Sequence, residues 1–123
     1  MNNAHHVTIP QALALRDVAA GDPYRGMVGD HRIRAVAIRR KILNRMIDAG
    51  FIKVKLEQTP EPYLTDEGKS ALSATIVHAE AEAARSLGNA NAHKEAGREG
   101  IADRWYEAAQ KWLDAANDLL GLS

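Results

Sequence analysis

The side chains whose chemistry stands out lie between residues 32 and 55. Arg32, Arg34, Arg40, Lys41, Asn44 and Arg45 fall in one short stretch, and Lys53 and Lys55 follow it two residues apart. Guanidinium and ammonium groups donate hydrogen bonds to phosphate oxygens. Arg also forks onto the guanine edge, and an Asn amide matches adenine. The chemistry on offer is recognition of an anionic, base-bearing polymer rather than the making or breaking of bonds; the plainer alternative is the solvated face of an ordinary amphipathic helix. No Ser lies in a Gly-x-Ser-x-Gly setting and no phosphate-loop pattern occurs. With no Cys, thiolate chemistry and disulfides are both excluded. Asp66 and Glu67 are adjacent carboxylates, but at the start of a helix they answer the positive helix end rather than acid–base catalysis. His78 and Glu82 share a helix face and His93 lies near Glu95, while His5 and His6 sit close to the start of the chain. These make no four-ligand set of the kind that zinc requires. No enzymatic activity, metal or cofactor is expected.

The elements that must hold those side chains follow from the pattern around them. Residues 31–49 read as an amphipathic helix. Ala35, Val36, Ile38, Ile42, Leu43, Met46, Ile47 and Ala49 fall on one arc, and Arg34, Ala37, Arg40, Lys41, Asn44, Arg45 and Asp48 on the other. Ile33 falls on the polar side. Arg39 lands near the apolar arc, so its stem is expected to lie over the edge of the core. Gly50 supplies the positive φ at which such a helix ends. Phe51, Ile52, Val54 and Leu56 then mark a strand, residues 57–62 with their two prolines a turn, and Tyr63-Leu64 a short returning strand.

Upstream, Thr8 is an N-cap and Pro10 a first-turn residue of a helix that stops at Gly21. Residues 22–30, dense in Gly, Pro and Asp, read as loop. Downstream, Thr65 caps a helix carrying Leu72, Ile76, Ala79, Ala83 and Leu87, expected to stop at Gly88-Asn89, with 90–100 as a loop or frayed start. In the last helix Ile101, Trp105, Ala108, Trp112, Ala115 and Leu119 alternate by four and three, a seam of the a/d type. The seam offers Ile101, Trp105, Trp112 and Leu119 either as an interface for a second copy or a partner, since Trp is enriched at binding hot spots, or simply as the lid of the chain's own core.

A neutral total hides an asymmetry. Residues 1–60 carry ten Lys/Arg against five Asp/Glu, and residues 61–123 carry six against eleven. Charges act over about 8–10 Å at physiological salt, so each half meets its own partner. At 123 residues the natural organisation is a disordered leader over 1–8, a domain over 9–72 and a helical segment over 73–123 continuous with it. The start lacks the apolar run of a signal peptide, and no stretch is long and apolar enough for a membrane span. A cytoplasmic location is expected.

The run Ile42-Leu43, Met46, Gly50-Phe51-Ile52, then Tyr63-Leu64-Thr65-Asp66-Glu67-Gly68 and Ala71-Leu72 resembles the winged helix-turn-helix domains of small prokaryotic transcription regulators, including mobile-element and phage-type proteins. In that family a recognition helix ends at a Gly followed by two hydrophobic residues. A two-stranded wing then closes on a Leu-Thr-x-x-Gly phrase that opens the next helix. The likeness spans about residues 9–72. One feature departs from it: the family has a further helix before the recognition helix, and here only the breaker-rich 22–30 is available.

The fold class expected is therefore mainly α with a small β-hairpin, a winged helix-turn-helix followed by C-terminal helices. The resemblance implies that 31–49 lies in the major groove of double-stranded DNA, presenting Arg34, Arg40, Lys41, Asn44 and Arg45. Lys53 and Lys55 on the wing would meet phosphate or the minor groove, and Arg25 with the Gly-rich loop would hold further phosphate. It implies a homodimeric regulator that blocks its operator by occupancy. The alternative is a protein–protein module, or an inhibitor of a nucleic-acid-processing complex, that works through its acidic C-terminal helices.

Overall fold

The computed structural model describes residues 5–56 and 58–121. Its elements in order are α1 (Ile9–Ala19), α2 (Arg32–Asp48), β1 (Ile52–Lys55), β2 (Glu61–Leu64), α3 (Asp66–Glu95) and α4 (Glu99–Leu120). The chain is thus mainly helical with one small antiparallel hairpin. It divides into two compact units, residues 1–75 and 76–123, and α3 contributes its first turns to one and the remainder to the other.

The first unit is built on aliphatic packing. Leu15 and Val18 of α1, Leu43 and Met46 of α2, Ile52 of β1, Leu64 of β2 and Ala71 of α3 form one buried cluster, with Val7, Ile42, Phe51 and Leu72 against it. A reciprocal capping box starts α1. The Thr8 N–H donates to Gln11 Oε1 (3.1 Å), and the Gln11 N–H donates to Thr8 Oγ1 (3.3 Å). Of the expected leader over 1–8, residues 1–4 lie outside the described residues. Val7 is held, its N–H donating to Thr75 Oγ1 (2.9 Å). Residues 20–31 are turns without a helix, as the breakers demand.

The hairpin pairs Ile52 with Leu64, Lys53 with Tyr63, Val54 with Pro62 and Lys55 with Glu61. Residues 61 and 62, expected in the turn, therefore lie in β2. A two-stranded ribbon has only edge strands, so the N–H that Pro62 lacks can face away from the ladder. Alternation puts Ile52, Val54, Pro62 and Leu64 on one face and Lys53, Lys55, Glu61 and Tyr63 on the other. Only Ile52 and Leu64 reach the core. Leu56, grouped with the strand's apolar residues, is 93% exposed past the end of β1, and Glu57 beside it lies outside the described residues.

The Leu64-Thr65-Asp66-Glu67-Gly68 phrase is a clasp between the end of α2 and the start of α3. Thr65 Oγ1 donates to the Gly50 carbonyl (2.6 Å) and accepts the Gly68 N–H (3.1 Å), while the Thr65 N–H donates to the Phe51 carbonyl (3.0 Å). Gly68 has no substitute here, because a Cβ on it would lie 2.1 Å from the Phe51 carbonyl oxygen.

Residues 76–123 form a different kind of core. The Tyr106 hydroxyl donates to Asn91 Oδ1 (2.6 Å), and the rings of His78 and Trp112 meet edge to face with centroids 5.6 Å apart. The pairs run in opposite chain directions, so α3 and α4 are antiparallel in this unit. The buried seam is made of small residues: Ala79, Ala83, Ser86 and Ala90 on α3, and Ala102, Ala109 and Ala116 on α4. Small contact residues let two helix axes approach closely.

Two expectations are corrected by this unit. α3 does not stop at Gly88-Asn89 but continues to Glu95. One interior Gly costs a helix about 1 kcal/mol relative to Ala, and here the extra turns seat fully buried Ala90 and bring Asn91 to Tyr106. The closure instead comes at Gly97, whose N–H donates to the Lys94 carbonyl (3.0 Å), while the Arg98 N–H donates to that of His93 (2.9 Å). The same paired closure ends α2 at Gly50, where φ is 84°. The seam of α4 is also rotated from the expected one. Ala102, Ala109, Ala116 and Leu119 are buried, Trp105 and Trp112 flank them half-buried, and Ile101 is 43% exposed. Close approach selects alanine for the centre and leaves indoles at the rim. On α3, Leu87 is likewise not in the seam but 46% exposed.

Candidate nucleic-acid interface

The orientation of α2 is set by how little of it is buried. Leu43 and Met46 are its only fully buried side chains, with Ala35, Val36 and Ile42 half-buried. Ile38, Ile47 and Ala49, assigned by periodicity to the core arc, are exposed, Ile38 at 52% and Ile47 at 39%. The core is narrow, being capped by an 11-residue α1 and a four-residue strand pair. It covers the C-terminal half of α2 and leaves the outer flank and the first turns in solvent.

One ion cluster holds α2 in place. Asp17 of α1 is 1% exposed and accepts from Arg16 of its own helix and from Arg39 of α2. Arg39 Nη1 lies 2.8 Å from Asp17 Oδ2 and 2.6 Å from the Pro23 carbonyl oxygen, and Arg16 Nη2 lies 2.8 Å from Asp17 Oδ1. Arg39 therefore does more than lay its stem across the core edge. It joins α1, α2 and the 20–31 loop through one buried carboxylate. A hint was present in the sequence: a charge on the apolar arc of one helix requires a counter-charge, and Asp17 stands among Ala14, Leu15 and Val18 on the buried side of another.

The remaining cations of α2 are left for solvent. Arg32, Arg34, Arg40, Lys41 and Arg45 are all exposed, as is Asn44. Among the described residues no ion pair or side-chain hydrogen bond engages any of them. They span nearly four turns of helix. Lys53 and Lys55 are exposed on the outer face of the hairpin, where Lys55 Nζ lies 5.9 Å from the centroid of the Tyr63 ring. Tyr63, 40% exposed between two lysines, joins this face through the strand register, a partnership visible only once the pairing is known. Arg25 is exposed in the loop.

The residues expected at a partner interface lie apart from one another in role. Leu119 is 3% exposed, and Trp112 meets His78 of the same chain edge to face; Ile101 alone of the four is clearly exposed. Among the described residues of the second unit, Val77, Leu87, Leu113 and Leu120 are the other large apolar side chains in solvent. Arg85 pairs with Glu82 one turn away, and that hydrogen bond and charge raise its pKa further above the usual arginine value. Among the described residues no group of three His, Asp or Glu converges as a metal site, and no helix is long and apolar enough to cross a membrane. A scan of family models and searches of curated proteins and of solved structures find no match to this chain.

Proposed function

We propose that the chain is a double-stranded DNA-binding regulator of the winged helix-turn-helix kind, with α2 entering the major groove and the β1–β2 hairpin touching the flanking backbone. One observation carries this reading. Four cations, Arg34, Arg40, Lys41 and Arg45, and Asn44 stand on the outward side of α2, and Arg32 is exposed in its first turn, all without intramolecular partners among the described residues, while Arg39 on the opposite edge is consumed by Asp17. Cations that served only solubility would be expected to alternate with carboxylates. Between residues 32 and 47 this helix carries none. Lys53, Lys55 and Tyr63 supply donors suited to phosphate. The helix that the family places before its recognition helix is absent, and the Asp17–Arg39–Pro23 cluster takes over the bracing of α2.

Two half-sites call for two copies. The second unit is the place for a homodimer contact, through apolar side chains left exposed there, such as Val77, Ile101 and Leu113. Occupancy of the operator is the mode of action. Fluorescence anisotropy with labelled random duplex at low salt tests the reading, since sequence-independent affinity is strongest there. Saturable binding that weakens with added salt is expected. Absence of binding at the lowest salt would defeat the proposal, and recovery of one stoichiometric protein partner without DNA would favour the protein–protein module instead.

A further inference from the structure

Ile33 is the most conspicuous misfit on the surface of α2. It is 82% exposed on the polar arc of a basic helix, where nothing in the fold uses it. Ala37 lies one turn further on the same face, also exposed, and Asn44 continues the line two turns beyond. Together these three run along the midline of the outward arc, with Arg34, Arg40 and Arg45 to its sides. Arg32, Ile33, Val36, Ala37 and Arg40 line an open, mostly apolar groove of about 270 Å³.

Resting on the reading of α2 as a groove-borne helix, we propose that Ile33 and Ala37 are base-reading residues that seat the C5-methyl group of thymine. The guanidinium groups of Arg32 and Arg40 suit phosphate, but the aliphatic side chains of Ile33, Val36 and Ala37 have nothing to offer a phosphate. The apolar group that the major groove does present is the thymine methyl, which small and aliphatic side chains contact. The position also fits, because a recognition helix meets base edges with its N-terminal turns. Ile33 and Ala37 occupy the first two turns of α2. Asn44 on the same line matches adenine. The site read by this face then contains thymine opposite the start of α2, with adenine further along.

The test uses the full chain and a duplex selected from a randomised pool. Each thymine of the selected duplex is replaced in turn by deoxyuridine, which removes the methyl and nothing else. At one or two positions the replacement should weaken binding about four-fold, the weight of one methyl group leaving water. Ile33→Ala should bind the thymine and uracil duplexes equally at one of those positions. Because Ile33 is so exposed, that variant keeps its fold. Equal binding of thymine and uracil duplexes by the unsubstituted protein at every position would overturn the inference, as would methyl sensitivity that survives in both Ile33→Ala and Ala37→Gly. In either case salt-dependent duplex binding would leave the DNA-binding reading standing. Failure to bind any duplex at low salt would remove both.

Discussion

The two compact units reach stability by opposite routes. Residues 1–75 bury large aliphatic side chains, Leu15, Leu43, Met46, Ile52 and Leu64, contributed by four different elements. The described part of residues 76–123 buries alanines and a serine along two helices, with Leu119 the one large residue fully enclosed among them. In the first, stability comes from apolar volume removed from water; in the second, from backbones brought close together. A volume-filled core needs every element in register around it, which is why the first unit also carries the Thr65–Gly68 clasp and the Asp17 cluster. A seam of alanines tolerates no added bulk and asks little else.

The largest break in this contrast should come at Asp17. Asp17→Ala leaves Arg39 near the core without its carboxylate, and removal of one partner of a buried pair costs about 3–5 kcal/mol. Urea unfolding followed by far-UV circular dichroism would register it as a lower midpoint. Next, Leu15→Ala should destabilise by about 2–5 kcal/mol, as for other fully buried leucines whose site cannot collapse. In the second unit the sign of the size change reverses. Ala109→Leu, a gain of volume, should cost about 1–3 kcal/mol through overpacking. Tryptophan emission reads this unit directly, since both tryptophans lie in it. If Ala109→Leu were instead stabilising, the seam would be loosely packed and the contrast would lapse. Smallest of all, Arg40→Ala should change stability by no more than about 0.5 kcal/mol, because no described residue depends on it.

Local signals in the sequence located most of the first unit. Thr8, Gly21, Gly50 and Thr65 each mark a helix boundary by a backbone requirement that neighbours do not alter, and the structure uses all four. The polar arc of α2 was legible for the same reason: a residue facing solvent needs only helical periodicity to be placed. What escaped depends on partners distant in sequence. Whether Gly88 ends a helix is decided by what α4 offers beyond it, and Ile38 and Ile47 are exposed because the core they were expected to join is too narrow. The Asp17–Arg39 pair, 22 residues apart, and the seating of Tyr63 between two lysines likewise follow from packing and register.

In the proposed function the outward cations of α2 are held out for a duplex. The most direct test is the slope of log affinity against log salt for the unsubstituted chain and for a variant with Arg34, Arg40 and Lys41 all replaced by Ala. Each phosphate contact contributes about 0.9 to that slope on duplex DNA. The variant should therefore lose between one and three such increments while keeping its unfolding midpoint. An unchanged slope and affinity in a fully folded variant would mean that these cations do not meet the duplex.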